Sequence, residues 1–287
     1  MAKPAADYQY DFFNVTFPAE YVAHVEINRP EKLNAFHQVM WLNLSALFQS
    51  LSLEPCIRAI LLTGAGDRAF TAGLDVQAAS SPTGPLSDDA SSTADPARKA
   101  TALRRHISEF QACITAIEKC EKPVVAVLHG IAYGLALDLA LACDVRFAAR
   151  AGTRLAVKEV DIGLAADIGT LSRLPHSVGN ASWVKDIALS ARVFGPDEAL
   201  QHGLVSRVYA DKKEAVHHAL ELALLIASKS PVAVQGTKEI INYSRERTVA
   251  DGLRYTAVWN AAMLQTQDVK DAMLSGLQKT TPKFSKL

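Results

Sequence analysis

The 287-residue sequence predicts an α/β protein that ends in a helical C-terminal region. Short apolar runs recur at IRAILLTG (57–64), PVVAVLH (123–129) and DVRFAA (144–149), separated by segments of helical periodicity. That alternation belongs to strands and helices sharing one mixed fold. From Pro231 onward only helical patterns appear, up to the polar tail TTPKFSKL.

The first element is a β-hairpin: Phe13, Val15 and Phe17 alternate with polar residues, and VAHVEI (22–27) returns after FPAEY. In NRPEKLNAFHQVMWLNLSALFQSL (28–51), Pro30 suits the opening of a helix that continues through Met40, Leu44, Leu47 and Leu51. IRAILLTG is a buried strand ending at Gly64. Residues 80–97, SSPTGPLSDDASSTADPA, lack any apolar period and read as a surface loop. A long helix from about Ala97 to Lys119 follows, and Pro123 prevents its continuation. Next come the strand PVVAVLH, a helix near 133–142, and the strands DVRFAA and TRLAV. After Gly195, Pro196 opens a short helix and Gly203 lies just beyond its end. Asp211 and Glu214 have capping-box spacing before a helix that runs to about Lys229. The division expected is an α/β core at 1–195 and a helical region at 196–287, which would serve in oligomerisation and cover a pocket.

Composition excludes several partners. Lys+Arg and Asp+Glu are each 30, so no net positive charge favours nucleic acid. Residues 123–145 are long and apolar enough to span a membrane, but His129, Gly130, Gly134 and Asp138 divide them into strand, turn and helix, so no membrane insertion is expected. The N-terminal MAKPAADYQYDFF lacks the apolar core of a secretory signal. Cys56, Cys113, Cys120 and Cys143 form neither a CxxC pair nor a cluster with His, which points to reduced thiols and no metal site. The last residues, Ser285-Lys286-Leu287, spell a peroxisomal address read by an import receptor, so the peroxisomal matrix is the expected location.

Two segments share one construction. In AFTAGLDV (69–76) and HGIAYGLALD (129–138) a strand stops, glycine allows an unusual turn, and a new element begins. Backbone N–H groups at such junctions lack internal partners. Two of them facing one oxygen would form an oxyanion hole, in which each donor is worth ~3–4 kcal/mol in the transition state. From pattern alone, the reading that both glycines simply turn the chain is the favoured one. No GxxxxGK[ST] and no GxGxxG after a strand is present.

NRPEKLNAF (28–36), AFTAGLD (69–75), KPVVAVLHGIAYGLALDLALACDVRFA (122–148) and EALQHGLVSRV (198–208) resemble the crotonase (enoyl-CoA hydratase/isomerase) superfamily, in the family's order. VKEVDIGLAADIGTLSRLP (157–175), SPVAVQGTK (230–238) and WNAAMLQTQD (259–268) are most similar to its peroxisomal and mitochondrial Δ3,5-Δ2,4-dienoyl-CoA isomerase branch. The resemblance implies a crotonase-type spiral of ββα units with a helical trimerisation region, assembling as a homo-trimer or hexamer. It implies an acyl-CoA thioester substrate, with coenzyme A part of the substrate and no separate cofactor.

By the same resemblance, Leu74 and Leu135 supply the oxyanion N–H groups, and Ala35, Ala72, Gly73, Asp75 and Gly134 line the substrate and CoA site. Asp138, Glu159 and Asp167 occupy the catalytic positions. Gly134-Leu135-Ala136 departs from the family's glycine run, so a Leu side chain must find room there. A hydratase would carry Glu at 138, and this chain has Asp there with an added acid at 167; that pattern favours isomerisation. The expected chemistry has Glu159 removing the C2 proton and Asp167 delivering one at C6 while Asp138 tunes the pair; the reverse assignment of the first two satisfies the same chemistry. The alternatives are a 2-enoyl-CoA hydratase and a non-catalytic acyl-CoA binding protein of this fold. Asp161 is expected to be an ion-pair or capping residue, His129 a packed or hydrogen-bonded one, and His217 and His218 part of an exposed helix face.

Overall fold

The computed structural model describes residues 8–79 and 95–287. The expected loop at 80–97 lies outside them as far as residue 94. Strand β1 (Phe13–Ala19) pairs antiparallel with β2 (Val22–Ile27), and Phe13 faces Ile27. Strands β3 (Ala59–Gly64), β5 (Val124–Leu128), β7 (Val145–Ala149) and β9 (Arg207–Tyr209) extend the sheet in parallel, in the order β1-β2-β3-β5-β7-β9. A second parallel sheet holds β4 (Ala69–Thr71), β6 (Ile131–Tyr133) and β8 (Arg154–Ala156). Successive passes therefore place one strand in each sheet before a helix follows: β3 and β4 before α2 (Val76–Ala79), β5 and β6 before α4 (Leu135–Ala142), β7 and β8 before α5 (Thr170–Ser177). This is the expected spiral of ββα units.

Both faces of the large sheet are covered at its centre, which is why β3 and β5 read as continuous apolar runs, while the edge strand β1 alternates. Ile60, Leu62, Val124, Ala126 and Leu128 face the main core, while Leu61, Val125 and Val127 face a second cluster. Helix α8 (Lys212–Ala227) closes that second cluster with Ala215, Ala219, Ala223 and Ala227, a four-residue repeat of small side chains along one helix face. Asp211 caps α8 by accepting from Glu214 N at 2.8 Å, but Glu214 Oε2 accepts from Ala210 N instead of closing the box on Asp211.

Two expectations need correction. The helix expected to open at Pro30 is a 3-10 turn (Pro30–Lys32), and the α-helix, α1 (Gln38–Leu53), begins later. Leu33 and Asn34 between them have φ of +52° and +57°. The buried Asn34 amide holds that break by accepting from Arg29 N and donating to the carbonyls of Ala65 and Ala69. The region after Gly195 is not all helical, because β9 pairs with β7 and α8 covers the sheet. Sheet and core therefore run on past the expected boundary.

The remaining helices are α3 (Pro96–Lys119), capped by Asp95, α6 (Ala181–Ser190), α7 (Pro196–Gln201), α9 (Pro231–Ser244), α10 (Val249–Met263) and α11 (Gln267–Gln278). Helix α9 is tied to the core by a buried ion pair: Lys238 Nζ lies 2.7 Å from Asp144 Oδ2 and also donates to Lys122 O. No helix among the described residues is long and apolar enough to cross a membrane.

Candidate active site

A cleft opens between the ends of the small sheet and helices α1 and α3. Its outer wall is aromatic: Trp41 of α1 stacks on Phe110 of α3 with ring centroids 3.9 Å apart. Leu103 and Ile107 of α3 continue that wall.

One side of the cleft is the first glycine turn. Phe36 bridges to this turn in parallel fashion, donating its N–H to Gly73 O and accepting from Asp75 N, both at 2.8 Å. That pairing uses the groups on either side of Leu74, so the Leu74 N–H points the opposite way. A side chain at Gly73 (φ +97°) would begin 2.8 Å from Tyr133 O, and only glycine permits this closeness to the second turn.

The second turn follows β6. Gly134 adopts φ +53° and ψ −116°, a conformation essentially restricted to glycine. Leu135 is the first residue of α4, so its N–H has no acceptor within the helix. The departure at 134–136 is accommodated: the special backbone sits at Gly134, and the Leu135 side chain is 4% exposed within the main core.

Three carboxyls meet this cleft. Asp138, one turn into α4, is buried, and its Oδ1 accepts from Thr170 N at 2.5 Å and Thr170 Oγ1 at 2.8 Å. Burial pushes its carboxyl up to about 7, the Thr170 donors oppose this, and the negative charge of Glu159 adds to it. Glu159 opens a 3-10 turn (Glu159–Ile162) after β8. Its Oε2 is buried without a hydrogen-bond partner among the described residues. Burial, joined by repulsion from Asp167, raises the Glu159 carboxyl above its ordinary value. Asp167 is exposed at the same cleft, and its carbonyl accepts from Gln111 Nε2 at 2.5 Å.

Of the site residues expected from sequence, Ala72, Gly73, Leu74, Gly134, Leu135, Asp138, Glu159 and Asp167 line this one cleft. Ala35 and Asp75 stand behind the wall. Asp75 pairs with Arg29 at 2.8 Å and accepts from Ala78 N at the start of α2. Burial alone would raise its carboxyl, but Arg29 and the Ala78 N–H outweigh it and hold it below its usual value. Asp161 pairs with Lys158 at 2.8 Å, as expected of a structural acid. His129 is buried against Gly66 O, and desolvation lowers its imidazole to about 4, so it is neutral. His217 and His218 pair with Glu221 along α8. The sequence reading missed Thr170, whose link to Asp138 spans 32 residues, and the Trp41–Phe110 wall.

Residues 19–286 match the family model described as enoyl-CoA hydratase/isomerase. The chain belongs to that family. Among enoyl-CoA hydratase/isomerase relatives, the mitochondrial Δ3,5-Δ2,4-dienoyl-CoA isomerase of Mus musculus is 45% identical over 286 residues, 98% of this chain and 85% of that protein. The peroxisomal Δ3,5-Δ2,4-dienoyl-CoA isomerase of Arabidopsis thaliana is 42% identical over 266 residues, 93% of each. Among solved structures of the family, the enoyl-CoA hydratase of Bacillus anthracis superposes with a TM-score of 0.85 at 25% identity, over 96% of this chain and 99% of that one.

Proposed function

We propose that the protein is a Δ3,5-Δ2,4-dienoyl-CoA isomerase. The observation that carries the reading is Glu159: a carboxyl oxygen buried without a partner, in an apolar cleft lined by the two glycine turns. Buried polar groups are normally satisfied, and one left open in a cleft fits a group that acts on a ligand.

The chemistry is a proton relocation. Glu159, its basicity raised by burial, removes a proton from C2 of the thioester. The carbonyl oxygen becomes an enolate, held by the Leu74 and Leu135 N–H groups. The electron pair shifts along the diene, C2=C3 and C4=C5 form, and Asp167 delivers a proton at C6. Asp138 sets the balance between the two from its buried position. Every step moves protons between carboxyls and carbon, so the reading calls for no metal or redox cofactor. An Asp at 138, together with an acid at 167, separates this arrangement from a hydratase, for which Glu at 138 would be expected.

Ser285-Lys286-Leu287 supports the peroxisomal matrix as its place, through an import receptor. Relatives of this name are assigned to both peroxisome and mitochondrion. Expression of a fluorescent fusion bearing residues 283–287 reports on this directly: peroxisomal puncta support it, and a diffuse or mitochondrial signal refutes it. Assembly into trimers or hexamers is supported by large apolar side chains left open on the last helices, including Leu253, Val258, Met273 and Leu277.

The reading is tested by comparing a 3,5-dienoyl-CoA with a 2-enoyl-CoA as substrate. It predicts conversion of the first to the 2,4-diene and at most slow hydration of the second. Preferential hydration of the 2-enoyl-CoA would replace it with a hydratase.

A further inference from the structure

We propose that Thr170 is a positioning residue for the proton transfers: its backbone N–H and its hydroxyl together hold one oxygen of Asp138, Oδ1, and reserve Oδ2 for the proton that this buried acid carries. The inference deepens the isomerase reading and rests on it for its catalytic meaning.

Both hydrogen bonds to the Asp138 carboxyl fall on the same oxygen, from Thr170 N at 2.5 Å and Thr170 Oγ1 at 2.8 Å. An oxygen that already accepts two donors carries the negative charge, and a proton goes to the other oxygen. Thr170 is 0% exposed and Asp138 1%, so bulk water does not compete for these bonds. Thr170 is also the first residue of α5, whose N–H groups lack helical acceptors and whose dipole favours an anion. Asp138 thus caps a helix with the carboxyl that faces the cleft, and one residue type fixes both its orientation and its charge preference.

The surrounding charges act on Asp138 in opposite directions. Glu159, on the 3-10 turn, disfavours a charge on Asp138, and Asp167 acts on Glu159 in turn. Arg173 of α5 favours the charge, but it is itself engaged by Glu118 of α3 at 2.8 Å. His106 of α3 stands across the cleft. Against the burial that raises the Asp138 carboxyl, the Thr170 hydroxyl is the strongest opposing influence.

The test uses the full chain with Thr170→Val, which removes the hydroxyl at nearly constant volume, and Thr170→Ser, which keeps both donors. The pH dependence of kcat/KM is measured together with the titration of the Asp138 carboxyl carbon by 13C NMR, the signal being identified by its loss in Asp138→Asn. The Val variant is expected to move the Asp138 titration upward by about one pH unit, since a donor to the charged form is lost. The Ser variant keeps the titration in place, and Thr170→Val adds nothing in an Asp138→Asn background. An unmoved titration in the Val variant, or a Val effect undiminished beside Asp138→Asn, overturns the proposal. If the Val variant does not fold, the Ser variant decides: an unchanged titration supports the contact and a shifted one overturns it. A wild-type protein without isomerase activity refutes the isomerase reading alone, because the NMR titration still reads the Thr170 contact.

Discussion

Glu159 Oε1 lies 3.1 Å from the point at which any side chain at Gly134 would begin. The turn that presents the Leu135 N–H, proposed as an oxyanion donor, and the carboxyl proposed as base are therefore packed against each other through a missing Cβ. One position serves both halves of the site, since Gly134 supplies the backbone conformation and makes room for the acid.

Gly134→Ala should damage activity more than stability. The new methyl meets Glu159, and φ +53° with ψ −116° is strained for any L-residue. Strain of this kind costs about 1–3 kcal/mol, while a misplaced oxyanion donor costs about 100-fold or more in kcat. Thermal unfolding and steady-state kinetics on the same preparation separate the two. Near-normal kcat in a folded variant would remove Leu135 N–H from the oxyanion role.

Asp138 makes folding stability depend on pH with a definite sign. Its carboxyl rises from 3.8 in the unfolded chain to about 7 when folded, so between these values the native state binds more protons than the unfolded one. Stability attributable to this group is fully present below pH 3.8 and is lost as pH rises through about 7. Asp138→Asn keeps an acceptor for Thr170 but never ionises, so the variant should gain on the wild type as pH rises. The gain at pH 8 is at most about 4 kcal/mol. Denaturant titrations at pH 5 and 8 measure it; equal differences at both would contradict the buried, raised acid.

Lys238 and Asp144 fasten α9 to the α/β core. Lys238→Ala leaves the largely buried Asp144 with the Val124 N–H as its remaining short hydrogen bond. Breaking one side of such a pair costs about 3–5 kcal/mol. A fall of that size in urea denaturation is expected, and a change within about 0.5 kcal/mol would mean that the pair is not holding the helix.

How far the sequence could be read depended on the length of each element. β3 and β5 announced themselves because both faces are buried and four or more apolar residues follow one another, and β7 did so through a shorter run, Phe147-Ala148-Ala149. β4, β6, β8 and β9 have three residues each, too few to show a period, and β4 and β6 were legible only as strand-to-glycine turns. The false helix start at Pro30 arose because a tertiary contact, Asn34 with Ala65 and Ala69, stops it. Asp138, Glu159 and Asp167 were legible through the family motif, and the cleft brings them together. The Thr170 bond was hidden, since nothing local to either residue signals a partner 32 positions away.

The most direct measurement is the ultraviolet absorbance of a 3,5-dienoyl-CoA mixed with the purified protein, because the carbonyl-conjugated 2,4-diene absorbs at longer wavelength. The isomerase account predicts a rapid rise that folded Glu159→Gln and Asp167→Asn variants lose. A flat trace from wild-type protein that binds the thioester would contradict it.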